Sequence, residues 1–121
     1  MATARHLLDR KGRAIFSIGP DDPVLEAIRM MAEHQVGALL VMKDERLLGI
    51  VSERDYARKV ILKGHSSADT PVSQIMSSPV ITVSLTNSVQ ECMQLMTSRR
   101  LRHLPVVEGG EVLGKIGRAH V

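Results

Sequence analysis

Apolar residues recur along the chain in two sets with one spacing. Val24, Ala27, Ile28 and Met31 follow the i, i+3, i+4, i+7 rhythm of one helix face, and Val89, Cys92, Met93 and Met96 repeat it. Shifting the sequence by 65 residues lays Ile15–Gly49 over Val80–Gly114 without a gap, with seven of 35 pairs identical. Asp22 before Pro23 predicts an N-cap with proline at the first helical position. Its counterpart, Asn87 with Gln90 three residues on, predicts a capping box. Short apolar runs, Ile15–Ile18 and Val80–Val83, precede the helices. Two more follow each: Ala38–Met42 and Leu47–Val51 around Lys43–Arg46, then His103–Val107 and Val112–Leu113 around Glu108–Glu111. Gly109-Gly110 suits a tight hairpin turn. Each copy reads strand, helix, strand, strand.

A further helix is expected over Glu53–Lys63, ended by Gly64. The chain then divides into an N-terminal segment with the first copy (1–64), a connector (65–79) and the second copy (80–121). A unit of this size cannot bury both faces of its sheet alone, so the copies are expected to pack about a pseudo-twofold axis with a cleft between them. The second copy has no closing helix. A compensating contact, from another subunit, is therefore expected to cover its sheet. Ile116-Gly117-Arg118-Ala119-His120-Val121 resembles the translation of a common sequencing adapter, so the native chain is expected to continue differently after about Gly114.

Composition narrows the function. At 121 residues, 44% hydrophobic and 24% charged, the chain can bury a core. Only Phe16 and Tyr56 are aromatic, which argues against base or sugar stacking. The lone Cys92 excludes an intrachain disulfide and suits a reducing compartment. Met1–Arg13 lacks the apolar core of a secretory signal and no apolar run reaches membrane length, so a cytoplasmic protein is expected. The net charge of +3 permits an anionic ligand, but the basic residues are scattered, which disfavours nucleic acid.

Two segments carry candidate chemistry. Ser52 and Asp55 stand where a strand hands over to a helix, and by spacing alone they read first as a cap. The same geometry can attract phosphate to backbone N–H groups and offer a carboxylate to ribose hydroxyls. Arg99 and Arg100 fit a helix C-terminus, whereas Arg102 and His103 enter a strand where the first copy has Gly37 and Ala38. Gly109…Gly114-Lys115 has P-loop spacing, but Ile116 replaces the required Ser or Thr. The five histidines have no partner at metal-ligand spacing, Cys92 aligns with core Ala27, and no catalytic set emerges. An enzyme is not expected, and no metal.

Gly49-Ile50-Val51-Ser52-Glu53-Arg54-Asp55 and Arg102-His103-Leu104-Pro105-Val106-Val107 resemble the two motifs of a tandem pair of CBS domains (a Bateman module), of the small stand-alone bacterial type. The resemblance covers about Ile15 to Gly114. It implies an α+β fold of two βαββ(α) motifs about a pseudo-twofold axis, the second lacking its closing helix. It also implies a non-enzymatic energy-sensing module that binds an adenosyl ligand such as AMP, ADP, ATP, NAD(H) or S-adenosylmethionine, and that forms a homodimer acting on an unidentified regulated protein. By the resemblance, Ser52 and Asp55 share a cleft with Arg102 and His103, and Ile50, Ile81 and Leu101 wall the adenine. Arg54 either reaches a phosphate or stays solvated. The second cleft is poorer, since Gly117 and His120 occupy the positions of Ser52 and Asp55. The alternatives are a ligand-free dimerisation module or a nucleic-acid-binding accessory protein.

Overall fold

A computed structural model describes residues 1–120, and the side chains of 1–119. The elements in order are α1 (Ala4–Lys11), β1 (Ser17–Ile18), α2 (Val24–His34), β2 (Ala38–Lys43), β3 (Arg46–Ser52), α3 (Glu53–Tyr56), α4 (Val89–Ser98), β4 (His103–Glu108) and β5 (Glu111–Gly117). A π-helical turn (Ala57–Ile61) extends α3, and 3-10 turns lie at Val72–Gln74 and Arg118–His120. The fold is α+β, with two copies of one motif and two small sheets. The chain forms two compact units: Phe16–Val80, and Met1–Ile15 with the residues from Ile81 onward.

In the first unit β1 runs parallel to β2, and β2 pairs antiparallel with β3, setting Leu39 opposite Val51. Leu39, Val41 and Val51 join Val24, Ala27 and Met31 of α2 in one core, as the 3.6-residue rhythm requires. In the second unit β4 and β5 form a two-stranded sheet, and the expected leading strand contributes only the bridge of Val83 to Val106. Leu104, Val106 and Ile116 pack with Cys92 and Met96 of α4. Burial pushes the Cys92 thiol up, consistent with a small core residue rather than a nucleophile.

The repeat reaches into the turns. Asp44 and Glu45 (φ 51° and 65°) take the positive-φ pair that Gly109 and Gly110 (φ 57° and 81°) take in the second hairpin. Register shifts fall at Val41/Met42 and at Val106/Val107, 65 residues apart.

Three sequence expectations are corrected. Pro23, not Asp22, is the N-cap of α2, and Asp22 Oδ2 instead accepts the Gly19 N–H at 2.9 Å. Ser88, not Asn87, caps α4 through a box with Glu91, while Asn87 Oδ1 accepts the Ser84 N–H at 2.8 Å. In both copies the Asx side chain closes the turn before the helix, a competing use of the same short carbonyl. Third, the sheet of the second copy is covered from within its own chain. Ala4, Leu7 and Leu8 of α1 are buried in that unit's core, a position for which a second subunit was expected. Backbone bonds pin the helix start: Ala4 N–H to Asn87 O (2.8 Å) and Arg5 N–H to Leu85 O (3.1 Å) use donors a helix cannot satisfy itself.

β5 continues past Gly114 to Gly117, with Lys115 opposite Pro105 and Ile116 fully buried. The adapter-like residues as far as Gly117 thus build part of the second sheet. Burial, with nearby Lys11 adding repulsion, pushes the Lys115 ammonium down to about 8. The folded chain holds this proton more weakly than the unfolded chain. The charge therefore costs stability below pH 8, and the cost fades as pH climbs from there toward the ordinary value of 10.5. Lys115→Met is expected to stabilise by about 1 kcal/mol at neutral pH, allowing for solvent screening, with the advantage narrowing by about pH 10. Urea melts at both pH values check this; a pH-independent gap would contradict it.

Candidate functional site

The handover from β3 to α3 is held by a reciprocal cap. The Asp55 N–H donates to Ser52 Oγ at 3.2 Å, and the Ser52 N–H donates to Asp55 Oδ2 at 2.9 Å. The Ser52 hydroxyl also donates to Oδ2, at 2.9 Å. The remaining oxygen, Oδ1, pairs with Lys59 Nζ at 3.1 Å, one helical turn on. Lys59 in turn donates to the Ile75 carbonyl at 2.9 Å. The Asp55 side chain is only 13% exposed, so these partners hold it in a largely desolvated place.

A carboxylate offers about four lone-pair directions. Three of Asp55's are taken by Ser52 and Lys59. A diol ligand that needs both oxygens finds one direction open on Oδ1 beside Lys59, and on Oδ2 must displace the Ser52 hydroxyl. Lys59 is a functional candidate that the sequence reading passed over. Its signal was present as the i, i+4 spacing from Asp55.

Arg54 is exposed on α3, and Ile50 is half-buried on β3, exchanging backbone bonds with Ser77 at 3.1 and 2.8 Å. These four residues, Ile50, Ser52, Arg54 and Asp55, lie in the unit Phe16–Val80. Arg102, His103, Ile81 and Leu101 lie in the other. Arg102 is exposed, His103 opens β4 with its Nδ1 shielded from water, and Ile81 and Leu101 pack against the core of their unit. The Arg102 carbonyl accepts the Arg118 N–H at 2.8 Å, as the Gly37 carbonyl accepts the Glu53 N–H at 3.0 Å. The strand-to-turn handover is thus copied, but its chemistry is not. Gly117 replaces Ser52 and has no hydroxyl, and the His120 side chain lies outside the described residues.

Among the described residues no cluster of His, Cys, Asp or Glu could hold a metal ion, and no helix is long and apolar enough to cross a membrane.

The class defined by this fold is a tandem pair of βαββ units, the first of which carries the capped strand-to-helix handover. The model of the CBS domain matches residues 11–62 and again 72–121, and the chain belongs to the CBS domain family. The mitochondrial CBS domain-containing protein CBSX3 of Arabidopsis thaliana is 44% identical over 101 residues, covering 79% of this chain and 49% of CBSX3. The chain spans about half or less of the length of the first curated relatives it matches. The crystal structure of the CBS domain protein NE2398 superposes with a TM-score of 0.93 at 47% identity, covering 98% of this chain and 92% of that one. A CBS domain protein from Pyrobaculum aerophilum, crystallised in complex with AMP, superposes with a TM-score of 0.86 at 27% identity, covering 98% and 88%. Tandem CBS pairs are regulatory modules.

Proposed function

We propose that this CBS pair is a non-enzymatic sensor of an adenine nucleotide. The observation that carries the reading is the preset Ser52–Asp55 box at a helix start, a donor-and-carboxylate pair suited to a ribose and the phosphate next to it. That a protein of the same fold holds AMP supports it. Ser52 and Asp55 grip the sugar, Arg102 and His103 take the anionic end, and Arg54 assists there. Ile50, Ile81 and Leu101 flank the adenine. AMP, ADP, ATP and NAD(H) share the adenosine moiety these groups recognise. The bound nucleotide favours one arrangement of the protein through its different affinities for two, and a homodimer or a regulated partner in the cytoplasm responds.

A thermal-shift screen of AMP, ADP, ATP, NAD, NADH and S-adenosylmethionine tests the reading, because a ligand that binds only the folded chain raises Tm. Asp55→Ala is expected to weaken nucleotide binding by about tenfold or more through lost charge-assisted bonds. Equal affinity by calorimetry would remove Asp55 from the site. A second reading, a ligand-free dimerisation module, draws on the exposed Ile61 and Leu62, 57% and 79% accessible. It requires that no adenosyl compound shift Tm at all.

A further inference from the structure

The loop after α3 builds a second polar feature, wholly within the unit Phe16–Val80. Lys59, Lys63, His65, Thr70, Gln74 and Ile75 line an open cavity of about 310 Å³. Gly64, at φ 69°, turns the chain so that the His65 N–H bonds back to the Val60 carbonyl at 3.0 Å. That reversal brings His65 back beside the end of the helical turn that carries Lys59, with Lys63 in the turn between them. The far wall is tied down as well: the Thr70 hydroxyl donates to the Ser66 carbonyl at 2.6 Å, and Lys59 Nζ donates to the Ile75 carbonyl at 2.9 Å. Thr70 is itself buried, at 7% accessibility.

The charge in this cavity is one-sided. Asp55 offsets Lys59. Among the described residues Lys63 and His65 enter no ion pair, and no carboxylate lines the cavity. Lysine and imidazole N–H groups with the Gln74 amide supply donors from both sides, which suits a compact, multiply charged oxyanion. The space is about ten times the roughly 30 Å³ that a water molecule occupies, and far too small for a folded partner.

We propose that this cavity is a binding site for a phosphate-type oxyanion, distinct from the nucleotide site above and sharing Lys59 with its edge. Lys59 joins the two places, because it contacts the Asp55 carboxylate and the cavity at once. An anion seated there draws on the same ammonium that holds Asp55.

The test is a titration of the full chain with inorganic phosphate, followed through the backbone amide signals of Gly64, His65 and Thr70 by NMR. Saturable shifts are expected with a dissociation constant in the range of about 1–10 mM. Lys63→Gln and His65→Gln, each at an exposed position, should each weaken binding by at least about threefold, while Lys43→Gln, on the β2 hairpin, should not. Non-saturating shifts, or equal binding by wild type, Lys63→Gln and His65→Gln, would overturn the proposal. Adding AMP to Asp55→Ala separates the sources. If AMP moves the same amides in competition with phosphate, the cavity takes a nucleotide's phosphate. If only phosphate does so, it takes the free ion. Either result stands whether or not adenine nucleotides bind at Ser52 and Asp55.

Discussion

Leu8→Ala is expected to destabilise the chain by about 2–5 kcal/mol, the range for a fully buried leucine whose surroundings relax only partly. Leu8 is completely inaccessible, and its Cδ2 lies 2.8 Å from where a Cβ on Gly114 would stand. It fills the face of β5 that a closing helix fills in the first copy, where Val60 of the π-helical turn is buried in the core. The loss therefore falls on the unit holding β4 and β5. Urea denaturation gives the number, with Leu62→Ala as the control: Leu62 is 79% exposed, and its truncation should stay within about 0.5 kcal/mol. A Leu8→Ala loss below about 1 kcal/mol would mean that α1 does not seal the second core.

The contribution of α1 explains what the sequence did and did not disclose. The repeat was legible because two helices and two hairpins had to satisfy the same packing, so Val24, Ala27 and Met31 and their counterparts kept one spacing. The spacing of Ala4, Leu7 and Leu8 is also that of a helix face. It is a weak signal because an eight-residue segment with Arg5, Arg10 and Lys11 reads as a polar terminus unless a sheet needs covering. The helix starts were displaced by one residue for a different reason. Asp22 and Asn87 are good caps by type, yet each is used on the preceding turn, a choice that depends on where Gly19 and Ser84 sit in three dimensions.

The site divides in the same way. Ser52 and Asp55 were readable because a cap is local, and the predicted reciprocal bonds are present at 2.9 and 3.2 Å. Lys59 was readable in principle but weak as a signal, since i, i+4 ion pairs decorate many helices without consequence. What sets it apart is the second partner, the Ile75 carbonyl, sixteen residues along the chain. No local pattern contains that bond. The cavity beside it depends on the reversal at Gly64 and on the floor made by Thr70 and Ile75, and so was likewise invisible in one dimension.

Gly49→Ala and Gly114→Ala should part company, although the two glycines are the same position of the repeat. A Cβ at Gly49 would meet the Ser77 carbonyl oxygen at 2.9 Å and the Met76 sulfur at 2.7 Å. The methionine can rotate away, but the carbonyl cannot. Ser77 is bound to β3 through both of its backbone groups, to Ile50 N–H and O, so moving it breaks the segment that leads out of the first unit. A cost of about 1–3 kcal/mol is expected, as for other overpacked sites. At Gly114 the contact closest to a new Cβ is Leu8 Cδ2 at 2.8 Å, the far end of a flexible side chain that a rotamer change can withdraw. That substitution should cost less, about 1 kcal/mol or under, and the cost should vanish in a Leu8→Ala background, where the methyl fills part of the space left by the leucine. The double-mutant cycle measures this directly: a coupling equal to the whole Gly114→Ala cost, up to about 1 kcal/mol, is expected between positions 8 and 114, and additive losses would show that α1 does not rest on β5. If Gly49→Ala proved as mild as Gly114→Ala, the close approach of residues 76 and 77 to β3 could not be the reason a glycine stands ahead of Ser52 and Asp55.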